Sequence, residues 1–168
     1  TNKEYGDTNV KANTKYYYWI RAYNDQGLAS NLSKERRIEV IDETPLLNTL
    51  DNFKKAITNK DSTLLANYST INNGLTIEYP DRNRKTFTSA SNFFSSWYDL
   101  LNAETITEIT YDHYWINQWN TAFDLDTSLK VVYTDANGNQ VSDNINLDFT
   151  IAKDSLKVED IDIWDVYN

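Results

Sequence analysis

His113 is the only histidine in the 168 residues, and an imidazole that titrates at about 6.5 is the first place to look for proton transfer. On a strand with a period of two it shares a face with Ile109, Tyr111, Trp115, Asn117 and Trp119. In such an aromatic setting a histidine beside a carboxylate acts as general acid or base. Asp148 and Asp165, on other strand-like segments, are the candidate carboxylates. The competing reading, a packed or edge histidine without chemistry, has the greater weight, because a lone histidine is a weak signal.

The aromatic residues offer a second chemistry. Tyr111, His113, Trp115, Trp119, Trp97 and Tyr133 are candidates to line a site for a small molecule or carbohydrate, since flat rings bury large area against an apolar sugar face. They serve equally as core, or as a sheet face joining two copies in a homodimer, and these two uses together outweigh the ligand site.

The carboxylates Asp124, Asp126, Asp143, Asp148, Asp160, Asp162 and Asp165 mostly fall on polar strand positions or in loops. They read as a solvated acidic face and not as a metal site, because hard cations need several oxygens at close, ordered spacing. Asp135-Ala-Asn137-Gly-Asn139 has the look of a calcium loop but lacks the later bidentate Glu, and an Asn-Gly hairpin turn explains it. No Ser-His-Asp order, phosphate-cradling glycine loop or paired-histidine spacing is present, so no cofactor is expected.

These residues must be placed by the elements around them. Sixteen Lys and Arg against 25 Asp and Glu give a net charge of −9, which argues against nucleic-acid partners, whose phosphates need clustered cations. Cysteine is absent, excluding disulfides and thiolate chemistry. No apolar run approaches the ~20 residues of a membrane span. A start at Thr1 with no Met anywhere reads as a piece of a longer polypeptide. The Asn-, Thr-, Ser-, Tyr- and Asp-rich composition fits an exported bacterial protein, extracellular or at the cell surface, with the periplasm as a further location.

Up to Asp42 the signals are strand-like. Tyr16, Tyr18, Ile20 and Ala22 alternate with Lys15, Tyr17, Trp19, Arg21 and Tyr23, Asn24–Gly27 makes a turn, and Ile38 and Val40 mark a second strand. From Glu43 the pattern changes. Thr44 and Pro45 open a helix with Leu46, Leu47, Leu50, Phe53 and Ile57 on one face. Asp61 caps a short second helix, strands follow at Leu75–Tyr79 and Thr86–Thr88, and a third helix from about Ser89 turns Phe93, Phe94, Trp97, Leu100 and Leu101 inward. Strands at 104–119, 121–134, 140–152 and 156–166 complete the chain.

Val10, Thr14, Tyr16, Tyr18, Ile20, Ala22 and Gly27 make residues 1–42 similar to the last strands of a fibronectin type III domain, with Asn13 where that family often has Gly. Such a sandwich needs about seven strands and ~100 residues. A partial piece therefore docks on the following domain, pairs with another chain or is poorly ordered, and the apolar character of both strand faces favours docking or pairing. The order of elements in 43–168, with Ala56, Asn59, Asp61, Ile161 and Asp165 at matching positions, resembles the NTF2-like (SnoaL, cystatin-like) superfamily. The usual Gly-Lys-Ile turn is replaced by Asp154–Val158.

The resemblance implies an α+β cone, about three helices packed on a curved antiparallel sheet, behind a β-hairpin remnant of a sandwich. The function expected is a non-catalytic ligand- or partner-binding module of an exported multidomain bacterial surface protein. The alternatives are a SnoaL-type enzyme using His113 with a nearby Asp, or a purely structural dimerisation or spacer domain.

Overall fold

In the computed structural model residues 6–167 are described, except for the side chains of Asp112 and His113. The chain divides into two compact units, residues 1–44 and 45–168.

In the first unit β1 (Thr14–Tyr18) and β2 (Arg36–Val40) pair antiparallel, with Thr14 opposite Val40 and Tyr18 opposite Arg36. The regular ladder is shorter than the alternation predicts. Beyond Tyr18 the hydroxyls of Ser33 and Ser30 accept the amides of Ile20 and Ala22, so side chains take over from ladder carbonyls. The turn forms where expected: Gly27 has φ 79°, and Asn24 Oδ1 accepts from the amides of Gln26 and Leu28.

In the second unit α1 (Thr44–Asn59) buries Leu46, Thr49, Leu50, Phe53, Ala56 and Ile57. Asp61 starts α2 (Ser62–Tyr68), its carboxylate accepting the Leu64 amide at 2.9 Å. The hairpin β3 (Leu75–Glu78) and β4 (Arg84–Phe87) leads to α3 (Ala90–Leu101). That helix ends at Asn102, which takes the left-handed conformation a C-terminal cap requires. Tyr98, not the expected Leu100, joins Phe93, Phe94, Trp97 and Leu101 in the buried stripe, where its hydroxyl reaches the Ile57 carbonyl.

Four long strands follow: β5 (Ala103–Gln118), β6 (Ala122–Asp135), β7 (Gln140–Ala152) and β8 (Val158–Tyr167). The six strands are ordered β4-β3-β8-β7-β6-β5. The sheet is mixed, a correction to the all-antiparallel expectation: β3 runs parallel to β8, with Ile77 opposite Ile161. A parallel pair needs a crossover, here supplied by everything between Glu78 and Val158, which alternation alone does not reveal.

One side of the sheet holds the core. Phe53 of α1 meets Phe93 of α3 and Phe149 of β7 edge to face at 5.9 and 5.6 Å. Phe93 also meets Phe87 and Phe94 at 5.8 Å and Trp97 at 6.0 Å. Such side chains each contribute about 1.5–3 kcal/mol by leaving water. The Asp135–Asn139 hairpin consumes its own carboxylate: Asp135 Oδ1 accepts the amides of Asn137 and Asn139. This leaves the turn reading in place of the calcium loop.

Candidate functional site

The side of the sheet facing the helices is filled. Leu125, Leu129, Val131, Ile145, Leu147, Phe149, Ile151, Ile161 and Ile163 are buried there. Trp97 and Tyr133 are buried with them. The Tyr133 hydroxyl donates to Asp143 Oδ2 at 2.7 Å, and burial, followed by the Asp143 hydrogen bond and charge, pushes its pKa up to about 12. Asp143 is 8% exposed, and its Oδ1 has no hydrogen-bond partner, nor has the buried Trp97 Nε1. Asp143 carries β7's inward parity with Ile145 and Leu147, a signal that could have marked it as internal.

Two residues lie between Tyr111 and Tyr114 on β5 where one, Ser128, lies between their partners Leu129 and Thr127 on β6. This bulge resets the alternation. Tyr111 and Tyr114 face the helix side, Tyr111 receiving the Lys54 ammonium at 4.2 Å and meeting the Tyr114 ring at 5.7 Å. Trp115 and Asn117, opposite Asp126 and Asp124, fall on the other side. The expected common face of Tyr111, Trp115 and Asn117 is therefore split in two. The His113 side chain lies outside the described residues.

The open side of the sheet carries polar rows at right angles to the strands. One continuous rung reads Trp115, Asp126, Asp148, Asp162, Glu78 and Arg84, each opposite the next. Its neighbour reads Asn117, Asp124, Thr150, Asp160, Thr76 and Thr86. Arg84 pairs with Glu78 at 3.6 Å and with Asp160, and Arg82 pairs with Glu78 at 3.0 Å. A groove of about 240 Å³ lies between Asp124 and Arg84, lined also by Asp148, Thr150 and Asp162. Trp115 is 68% and Trp119 60% exposed, and the Trp119 indole donates to Asp124.

Asp148, offered as a histidine partner, stands in the middle of this acidic rung. Burial raises its pKa to about 6, with the charges of Asp126, Asp124 and Asp162 adding to the shift. Its Oδ1 has no hydrogen-bond partner. Asp160 is also shifted upward, by burial, against the pull of Arg84. Asp165 is exposed and accepts the Val166 amide. Among the described residues no group of three or more acidic or histidine side chains converges enough to hold a metal ion.

No family model and no curated protein matches the chain. Solved structures do. An NTF2-like superfamily protein from Salmonella enterica serovar Typhimurium matches with a TM-score of 0.59 at 14% identity, covering 72% of this chain and 90% of its own. The fold of residues 45–168 is NTF2-like. A candidate SnoaL-like polyketide cyclase from Jannaschia matches at 0.52 and 10% identity, covering 71% and 84%. A candidate dehydratase of the NTF2-like family from Streptomyces avermitilis matches at 0.50 and 11%, covering 71% and 93%. At these identities the likeness shows the NTF2-like fold alone.

Proposed function

We propose that the NTF2-like unit is a binding module without catalytic chemistry, and that its working surface is the open face of the sheet. One observation carries this: the helix side is packed with aliphatic and aromatic side chains, while two exposed indoles and a row of half-buried carboxylates line the other side. Soluble proteins seldom expose clustered large apolar groups without an interaction to match. Screening the chain against arrayed glycans and peptides, beside a Trp115→Ala/Trp119→Ala variant, tests it. Ligands that bind the parent and not the variant support the reading, and ligands retained by a folded variant overturn it.

The module belongs, on this proposal, to an exported multidomain bacterial surface protein in which a fibronectin type III-like domain comes first. Two features of the hairpin support that. The Tyr16 hydroxyl accepts the Lys11 amide at 2.7 Å, the bond of a tyrosine corner in immunoglobulin-like sandwiches. Asn13 has φ 57°, the left-handed region suited to the glycine it replaces. An upstream sequence without further strand-length alternating segments would remove the support.

A second reading, a SnoaL-type enzyme, draws on the names of two structural neighbours and on the internal Tyr133–Asp143 pair with its unpartnered oxygen. Saturable binding of a small polyketide-like aromatic that is lost in Asp143→Asn and retained in the Trp115/Trp119 variant would favour it over the open face.

A further inference from the structure

We propose that the open face of the sheet docks an extended, arginine- and lysine-rich segment of a partner polypeptide. This rests on the reading that the open face is the working surface, and it names the partner class.

The rung Asp126, Asp148, Asp162 and Glu78 places four carboxylates directly opposite one another on adjacent strands. Like charges so placed destabilise a sheet, and a fold that holds them has a use for the field they make. Compensation is one-sided. Arg82 and Arg84 engage Glu78 and Asp160 at the β3–β4 edge, and Lys153 gives its ammonium to the Trp119 carbonyl. The Asp124, Asp126 and Asp148 end has Trp115 and Trp119 as neighbours instead. An indole beside a carboxylate is a composite receptor for a guanidinium, which stacks on the ring while its N–H fork meets the oxygens.

Dimensions agree. At 4.7–4.9 Å per strand the four-carboxylate rung spans about 14 Å. Three alternate residues of an extended chain, each pair about 6.7 Å apart, cover nearly the same length. The groove between Asp124 and Arg84 gives such a segment a seat. Other occupants fit less well. A second copy laid face to face would bring acidic rung against acidic rung, a nucleic acid would be repelled, and a neutral glycan has no use for the charge.

The test is fluorescence anisotropy with a short labelled peptide alternating Arg and Thr, beside the same peptide with Glu for Arg. Asp126→Asn/Asp148→Asn/Asp162→Asn is compared with Asp25→Asn/Asp99→Asn/Asp154→Asn, which removes the same formal charge from exposed sites elsewhere. Expected are saturable, salt-sensitive binding of the Arg peptide only and a loss of about tenfold or more in the rung variant. The control variant should lose under about twofold, and Trp115→Ala should weaken binding too. Melting curves separate lost binding from lost fold, since the rung variant is expected to melt higher. Equal losses in both triple variants, or no saturation, overturn the proposal. A dimer in sedimentation velocity that shields Trp115 from iodide also overturns it, in favour of a second copy. If the peptide fails while an arrayed ligand still requires Trp115 and Trp119, the partner class falls and the working surface stands. If neither binds there, both fall.

Discussion

Asp148 stands directly opposite Asp126 in the β6–β7 ladder, carboxylate against carboxylate, with Asp162 on its other flank. The arrangement is a local electrostatic defect in an otherwise consistent sheet, and it makes stability depend on pH in a definite direction.

Because the folded-state pKa of Asp148 is raised to about 6, the folded state holds this proton more tightly than the unfolded chain does. The favourable contribution is complete below about pH 4 and is lost as the pH rises through about 6. Asp148→Asn, which cannot ionise, is therefore expected to be more stable than the parent at pH 7. After discounting for solvent screening the gain is about 1 kcal/mol. Denaturant titrations at pH 7 and pH 4 check it: the difference should shrink towards zero at the lower pH. A parent more stable than the variant at pH 7 would contradict the geometry.

Removing one buried ring should be far more damaging. Phe53 touches Phe93 and Phe149 edge to face and is wholly buried, so Phe53→Ala is expected to cost about 3–5 kcal/mol. Urea unfolding followed by far-ultraviolet circular dichroism would read this directly.

The Tyr133–Asp143 pair tests the interior. Tyr133→Phe deletes the hydrogen bond to a buried carboxylate and should cost about 1–3 kcal/mol. Asp143→Asn keeps an acceptor for the hydroxyl and should cost less. It also removes a charge that raises the Tyr133 pKa, so spectrophotometric titration should show one tyrosine ionising at lower pH in the variant than in the parent.

Fluorescence quenching separates the two sides of the sheet. Trp19, Trp115, Trp119 and Trp164 are exposed while Trp97 is buried. Acrylamide should therefore quench most of the emission readily and leave a blue-shifted residue that disappears in Trp97→Phe. A Trp115 as protected as Trp97 would mean that something covers the open face.

Much of the architecture was legible from local signals. Asp61 as a cap, the Asn24–Gly27 turn and the heptad-like stripe of α1 follow from short-range chemistry, and each is found in place. Long-range pairing was not. Nothing near Thr76 or Asp160 announces a parallel β3–β8 ladder. The acidic rung exists only once three separate ladders bring Asp126, Asp148, Asp162 and Glu78 into line. The aromatic candidates on β5 do not share one face, because plain alternation runs straight through the Tyr111–Tyr114 bulge and no local signal announces it.

That bulge has a consequence for how the strand tolerates change. β5 shifts register against β6 at three places, and at this one the pair Asp112–His113 stands opposite the single residue Ser128. Deleting a single residue there would remove the bulge and leave plain alternation, with Tyr114 still towards the core and Trp115 still towards water. What the extra residue adds is local bend and twist in β5, and the faces of Tyr114 and Trp115 would survive its loss.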